Sequence, residues 1–345
     1  MRSAEKALVI GGAGFIGANC ADRLLKKGNE VWVFDNLSRR GTEWNLKWLR
    51  QHKKLKFVKG DVRKYSDLKK LFSANKDFDA VFHLAAQVAV TTSVTDPRED
   101  FEINALGTFN VLEAIRETKS DPAILYSSTN KVYGGMTDIK IVERKGRYAY
   151  KDLPKGISED RILDFHSPYG CSKGTADQYM IDYSRIYGLR TVVFRQSCIY
   201  GYRQFGIEDQ GWVAWFTIAT MLNKQLSIYG DGKQVRDVLF IEDLLDGYEA
   251  AIKNINKIKG QAFNVGGGAK NTMSLLELIA FLEKFFGKKI PLKFGDWRPG
   301  DQPVFVCDIS KAKKAFGWEP KTKPEQGVKL LYEWVKDNKG LFADL

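Results

Sequence analysis

The strongest constraint on the fold lies at the amino end of the chain. Ala7-Leu8-Val9-Ile10 is a short apolar run of buried-strand type, and it leads straight into Gly11-Gly12-Ala13-Gly14-Phe15-Ile16-Gly17, followed by a helical stretch through Lys27. Glycines in this pattern allow a tight turn and close backbone approach, while the helix amino end offers free N–H groups to a pyrophosphate. A second strand-like run, Glu30 to Phe34, ends at Asp35, whose carboxylate is placed to accept both ribose hydroxyls of an adenosine. Gly11, Gly14, Phe15, Ile16, Gly17, Asp35, Asn36, Ser38 and Arg39 are therefore expected to contact a dinucleotide. Asp35 repels a 2′-phosphate and so favours NAD over NADP, although Arg39 and Arg40 follow closely.

Further strand-like runs occur at 55–58, 80–84, 123–126 and 191–194, separated by helical patterns. Such alternation predicts an α/β fold with a doubly wound parallel Rossmann sheet. Ligands of these sheets sit at strand carboxyl ends, which here carry Asp61 and Val62, then Leu84, Ala85 and Ala86, then Ser127, Ser128 and Thr129. A chain of 345 residues is long for a single core. After Gln196 the alternation weakens and aromatic and turn residues take over. The expected division is a Rossmann domain over 1–196, with returning segments at about 235–266, and a smaller α/β substrate domain over 197–234 and 267–345.

Ser167-Pro168-Tyr169-Gly170-Cys171-Ser172-Lys173 places a phenol and an ammonium four residues apart at a helix start, on one face. A cation beside a phenol favours the phenolate, which suits a proton relay for alcohol oxidation. Tyr65 and Lys69, Tyr229 and Lys233, and Tyr332 and Lys336 share the spacing. Only the Tyr169 pair follows both a dinucleotide fingerprint and a Ser/Thr-rich strand end.

The formal charge of +12 suits anionic partners, but the lysines are scattered and no nucleic-acid motif accompanies them. No nucleic-acid partner is expected. The four cysteines form no C-x-x-C pair, which points to a reduced, cytoplasmic setting. His52, His83 and His166 show neither metal-ligand spacing nor a carboxylate partner suggestive of a triad, so structural roles and no metal are expected. No signal core and no apolar run of about 18 residues occurs, which argues against membrane association.

Taken together, the glycine turn, Asp35, Ser127-Ser128-Thr129, Tyr133-Gly134 and the Tyr169/Lys173 pair resemble the extended short-chain dehydrogenase/reductase family of nucleotide-sugar enzymes. Ile10 departs from the Thr often found before that family's glycine turn. The long stretches 126–134, 164–174 and 232–239 resemble the branch that inverts carbon 2 of CDP-linked sugars. That resemblance implies bound NAD, a CDP-sugar substrate, and a homo-oligomer, dimer or tetramer, built through helices of the large domain. It makes Tyr169 the base, Lys173 the ribose contact and Thr129 the partner of the reacting oxygen; an ordinary strand-end cap is the bland alternative for Thr129. The same resemblance adds Asn104 and Ser127 to the cofactor contacts, and Gln204, Arg236 and Arg298 to the substrate contacts. Surface ion pairs with Asp237 or Asp301 are the bland alternative for the two arginines. Residues 135–163 are expected to form either a substrate lid or a plain surface insertion. A UDP-hexose 4-epimerase shares the relay, and a non-catalytic nucleotide sensor shares the fold. A 4,6-dehydratase would place acid and base where this chain has Asn130 and Lys131.

Overall fold

A computed structural model describes residues 6–208, 210–298 and 301–343. In chain order the first strands are β1 (Lys6–Ile10), β2 (Glu30–Asp35), β3 (Leu55–Lys59), β4 (Ala80–His83) and β5 (Ala123–Thr129). Next come β6 (Ile141–Arg144), β7 (Arg147–Tyr150), β8 (Arg190–Gln196), β9 (Cys198–Tyr200) and β10 (Leu226–Tyr229). The last are β11 (Val235–Phe240), β12 (Gln261–Val265), β13 (Thr272–Ser274), β14 (Leu292–Gly295) and β15 (Val304–Phe305). Seven of them form one sheet in the order β12-β8-β5-β4-β1-β2-β3. Every neighbouring pair in it is parallel. The order reverses between β1 and β4, and a crevice opens at such a switch point.

The apolar strands are explained by burial on both faces. Ala7 and Val9 share one core with Val31, Val33, Phe82, Leu125 and Phe194. Leu8 and Ile10 point the other way and join Phe34, Val81, Ile124, Tyr126 and Val193. Helix Phe15–Lys26 covers the first face with Ala18, Ala21, Leu24 and Leu25. Helix Ser167–Tyr187 covers the second with Ala176, Met180 and Tyr183; it carries Pro168 in its first turn and stops at Gly188, whose φ of 74° ends the helix.

The expected domain division changes in two places. Within the returning segment 235–266, β12 completes the large sheet beside β8, but β11 pairs with β9, β13 and β15 in a four-stranded sheet. Ser197 alone separates β8 from β9, so β9 leaves the large sheet abruptly and takes β11 as its parallel partner. Helix Ser310–Phe316, expected in the small domain, packs on the large sheet instead, with the Phe316 ring 5.9 Å from Phe194 and 5.1 Å from Phe263. The stretch 135–163 forms the antiparallel β6/β7 hairpin and is fastened to the four-stranded sheet and its flanks. Tyr148 N–H donates to Lys233 O, Tyr150 Oη to Val304 O, and Arg147 pairs with Glu277.

Beneath the sheet's carboxyl ends a buried ion pair joins the helix 167–187 to β8. Arg195 meets Asp177 through two 3.0 Å hydrogen bonds, and Ser128 Oγ donates to the same carboxylate at 2.8 Å. Removing the carboxylate strands a buried guanidinium, which costs about 3–5 kcal/mol. Asp177→Ala is therefore expected to lower unfolding stability by that amount in a denaturant titration; a loss below about 1 kcal/mol would contradict this account.

Candidate active site

Steric closeness explains the glycine turn. A Cβ on Gly11 would lie 2.5 Å from Ala85 N, and one on Gly17 would lie 2.1 Å from Gly11 O, so neither position admits a side chain. Gly14 caps the first helix, whose first turn holds no acidic residue and keeps its N–H groups available to an anion. Asp35 at the end of β2 accepts from Ala13 N at 3.0 Å and Leu37 N at 2.8 Å. Burial raises its pKa, and these two bonds oppose the rise. Burial pushes Asp61 up too, but hydrogen bonds from Arg63 and Asn36 win and hold it down at about 2.

These residues line one cavity of about 440 Å³ at the strand carboxyl ends. It brings together Gly11, Gly14, Phe15, Ile16, Gly17, Asp35, Asn36, Ser38, Arg39, Asp61, Val62, Leu84, Ala85, Ala86 and Gln204. Its far wall is the segment 203–207 with Gln210, of which only Gln204 was expected from the sequence. Asn45 was missed altogether. Both Gln204 Oε1 and Asn45 Oδ1 are buried without a hydrogen-bond partner among the described residues, leaving two acceptors for a ligand. Glycine cradle, anion-binding helix end, strand-end carboxylate and spare acceptors fit a dinucleotide. Among the described residues, no cluster of His, Cys, Asp or Glu could hold a metal ion.

Four expected site residues stand together just behind this cavity without lining it. Lys173 Nζ donates to Ser127 O at 2.5 Å and lies 4.3 Å from the centre of the Tyr126 ring. Burial pulls its pKa down to about 7, while the carboxylates of Asp100 and Asp177 pull the other way. Burial raises the Tyr169 phenol to about 12, and Asp100 adds to the rise; a hydrogen bond with Thr129 and the charge of Arg39 lower it. The expected depression of this phenol by Lys173 is therefore absent, because the ammonium is turned to the Ser127 carbonyl. Thr129 also accepts from Lys131 N at 3.2 Å, so its strand-end cap and its contact with Tyr169 coexist.

Several expectations shift. Asn104 does not line the cavity; it receives Gln87 N–H at 3.0 Å and donates to Gln87 O, Asp100 and Ser172, so it shapes the loop after β4 from behind. Arg236 pairs with Asp301 at 2.5 Å, while Asp237 bonds Ser197, Cys307 and Gly268 instead. Arg298 lies over the Tyr229 ring at 4.0 Å. No residue of 135–163 lines the 440 Å³ cavity, so this stretch does not cover it. His52 does have a carboxylate partner, Asp22 at 2.9 Å, but does not line the cavity. Of the rival pairs, Tyr65 and Lys69 both bond Glu117 at the surface, and Tyr229 bonds Glu208.

The chain belongs to the nucleotide-sugar branch of the extended short-chain dehydrogenases: its sequence matches the family described as GDP-mannose 4,6 dehydratase over residues 8–331. It is 50% identical over 337 residues to the CDP-paratose 2-epimerase of Salmonella typhi, covering 96% of this chain and 99% of the relative. The Thermotoga maritima UDP-glucose 4-epimerase, solved with UDP-glucose, superposes with a TM-score of 0.83 at 31% identity, covering 97% of this chain and 99% of that one. The Bacillus cereus UDP-glucuronic acid 4-epimerase, solved with UDP-glucuronic acid and NAD, gives 0.82 at 30% identity, with coverages of 96% and 99%.

His83 supplies a test of the charge behind the cavity. It is fully buried on β4, with Nε2 2.9 Å from Thr108 Oγ1. Burial, and then the charge of Lys173, push its pKa down from 6.5 to about 3. The folded state keeps this imidazole neutral, whereas the unfolded chain takes up a proton below 6.5, so stability present above that pH is lost as pH falls towards 3. The loss is up to about 1.4 kcal/mol per pH unit. Denaturant midpoints at neutral and mildly acidic pH should fall more for the natural protein than for His83→Asn; equal falls would refute the assignment.

Proposed function

We propose that this protein is an NAD-dependent nucleotide-sugar epimerase that inverts carbon 2 of a CDP-linked sugar, converting CDP-paratose to CDP-tyvelose. The observation that carries the reading is the joining of a dinucleotide cavity to the buried Tyr169, Thr129 and Lys173 group, in a chain 50% identical to a CDP-paratose 2-epimerase. Bound NAD accepts a hydride from carbon and later returns it. Carbon 2 of the sugar bears no acidic proton, because no carbonyl activates it, so inversion has to pass through a ketone. Tyr169, in its phenolate form, takes the hydroxyl proton as the C2 hydride leaves, and Thr129 holds the oxygen on which charge develops. Lys173 holds the nicotinamide ribose. The 2-keto sugar then turns its other face, Tyr169 gives the proton back, and the cycle is redox-neutral.

Asn130 and Lys131 separate this reading from a 4,6-dehydratase, since an amide and an ammonium stand where water elimination needs an acid and a base. A UDP-hexose 4-epimerase is the second reading, supported by the two structures solved with UDP-sugars. We also propose Arg236 and Arg298 as holders of the nucleotide diphosphate, Arg236 exchanging Asp301 for phosphate. A homo-oligomer is supported by exposed Phe101, Tyr179, Ile186 and Tyr187, the last three on helix 167–187. A cytoplasmic setting is supported by four free cysteines, Cys171 among them exposed. No helix among the described residues is long and apolar enough to cross a membrane.

Tyr169→Phe preserves the packed ring and removes the proton acceptor. Turnover should fall by about 10²–10⁴-fold while extractable NAD stays unchanged; near-normal turnover in the folded variant would remove Tyr169 from its role.

Isotope transfer tests the carbon and the route together. CDP-paratose carrying deuterium at C2 should give CDP-tyvelose that retains the label in ordinary water, because the hydride never meets solvent. Loss of the label would indicate an enol route, and turnover of UDP-galactose but not CDP-paratose would establish the 4-epimerase reading instead.

A further inference from the structure

Two lysines stand at the carboxyl end of β5, Lys173 buried and Lys131 partly exposed, and their ammonium groups differ in their partners. Lys173 has a carbonyl to bond. Lys131, in the turn Asn130–Tyr133 directly after Thr129, donates no side-chain hydrogen bond and makes no ion pair among the described residues. Burial, and then the nearby Arg236 guanidinium, lower its pKa to about 8, against the opposing pull of Asp301 and Cys198. An ammonium carries three donors and no acceptor, and none of the three on the partly exposed Lys131 has a partner among the described residues. They are open to the oxygen atoms of a ligand.

The surroundings narrow the choice of ligand atom. Lys131 lines a second, much smaller cavity with Val90, Gly134, His166 and Ser167. Its volume is about 10 Å³, room for one water-sized group, which suits a single exocyclic oxygen and not a phosphoryl group. The walls are firm. Gly134 has a φ of 68° and sits so close to Asp164 that a Cβ would lie 2.3 Å from its carbonyl oxygen. Ser167 holds a φ of 67°, uncommon outside glycine, with Gly170 N–H bonded to its hydroxyl at 3.2 Å. Two positions along the helix from Ser167 is Tyr169, and two positions back from Lys131 is Thr129, whose hydroxyl receives Lys131 N–H. The small cavity is thus lined by close chain neighbours of the two side chains proposed to face the reacting oxygen.

Resting on the epimerase reading above, we infer that Lys131 is a positioning residue for the sugar: its ammonium holds one oxygen next to the reacting carbon and so decides which carbon meets Tyr169 and Thr129. The class of ligand is a hydroxyl or keto oxygen of a hexose ring. The neighbouring Arg236 is left to the diphosphate, so the lysine's effect appears only when a sugar is attached.

The test compares the natural protein with Lys131→Met, which keeps the stem and removes the charge, and Lys131→Arg, which keeps the charge. Three quantities are read: NAD extracted per chain, the dissociation constant of CDP alone, and kcat/KM for CDP-paratose, UDP-glucose and UDP-galactose. In Lys131→Met, NAD content and CDP affinity should stay within about two-fold, while kcat/KM for the nucleotide sugar falls about 10- to 100-fold. Lys131→Arg should recover part of the loss. The inference is overturned if kcat/KM is unchanged, or if CDP affinity falls as far as kcat/KM, which would make Lys131 a nucleotide contact. Loss of bound NAD in both variants overturns it too, since the lysine would then support the fold. A natural protein that acts only on UDP-hexoses overturns the C2 assignment alone, and the variant ratio with that substrate still decides the role of Lys131. One that turns over none of the three overturns both.

Discussion

Charge held out of water at the end of β5 is the constraint on which the rest of the structure depends. Lys173 is 2% exposed, and the two carboxylates that oppose its desolvation, Asp100 and Asp177, are fully buried. Neither carboxylate is free to serve the lysine alone. Asp100 accepts from Ser172 and Asn104, which in turn fixes the backbone at Gln87. Asp177 accepts from Ser128 and Arg195; the guanidinium also reaches Tyr133 Oη, and that hydroxyl bonds Asn264 on β12. Asn264 closes the chain by donating to Ile157 O. A buried ion survives only with its partners in place, so one lysine specifies the mutual positions of β4, β5, β8, β12 and the helix that carries Tyr169.

Local signals carried most of what was legible in the sequence. The turn from Ile10 to Gly17, the strand ending at Asp35 and the alternation through 194 depend on residues that are neighbours in the chain, and their geometry follows from glycine sterics and apolar runs. The Tyr169/Lys173 spacing was read on the same footing, and the helix Ser167–Tyr187 realises it. What escaped was non-local. Nothing in Val235-Arg236-Asp237-Val238 says that its partners are β9, β13 and β15 and not the large sheet. Likewise the orientation of Lys173 towards Ser127 O, the role of Asn104 behind the loop at Gln87, and the Arg236 ion pair with Asp301 are set by residues far away in sequence. Asn45 was missed because a single amide in a helix carries no pattern.

The relatives show how little of the scaffold is concerned with the substituents of the sugar. Structures near 30% identity superpose over almost the whole chain, although the proteins named act on differently substituted sugars. Hydride chemistry requires the dinucleotide cradle and the phenol, and these lie on the rigid sheet and its helix. Beyond them lie the side chains that follow β5 and the smaller sheet. There the packing is glycine-rich and close, and Gln302 Nε2 donates to Gly134 O across the two.

The place of β12 has a consequence for how the molecule is made. The large sheet is closed on one side by Gln261–Val265, although its neighbour β8 ends at Gln196. During synthesis the five strands β1 to β5, and then β8, emerge first, while the strip that covers the outer side of β8 is still to be translated. Until it arrives, the N–H and C=O groups along that side of β8 lack their final partner, and an unpaired strand of this kind recruits other chains. At a synthesis rate of about 5–20 residues per second the interval lasts several seconds. The nascent protein therefore passes through a stage in which its cofactor cradle is translated but its sheet is open.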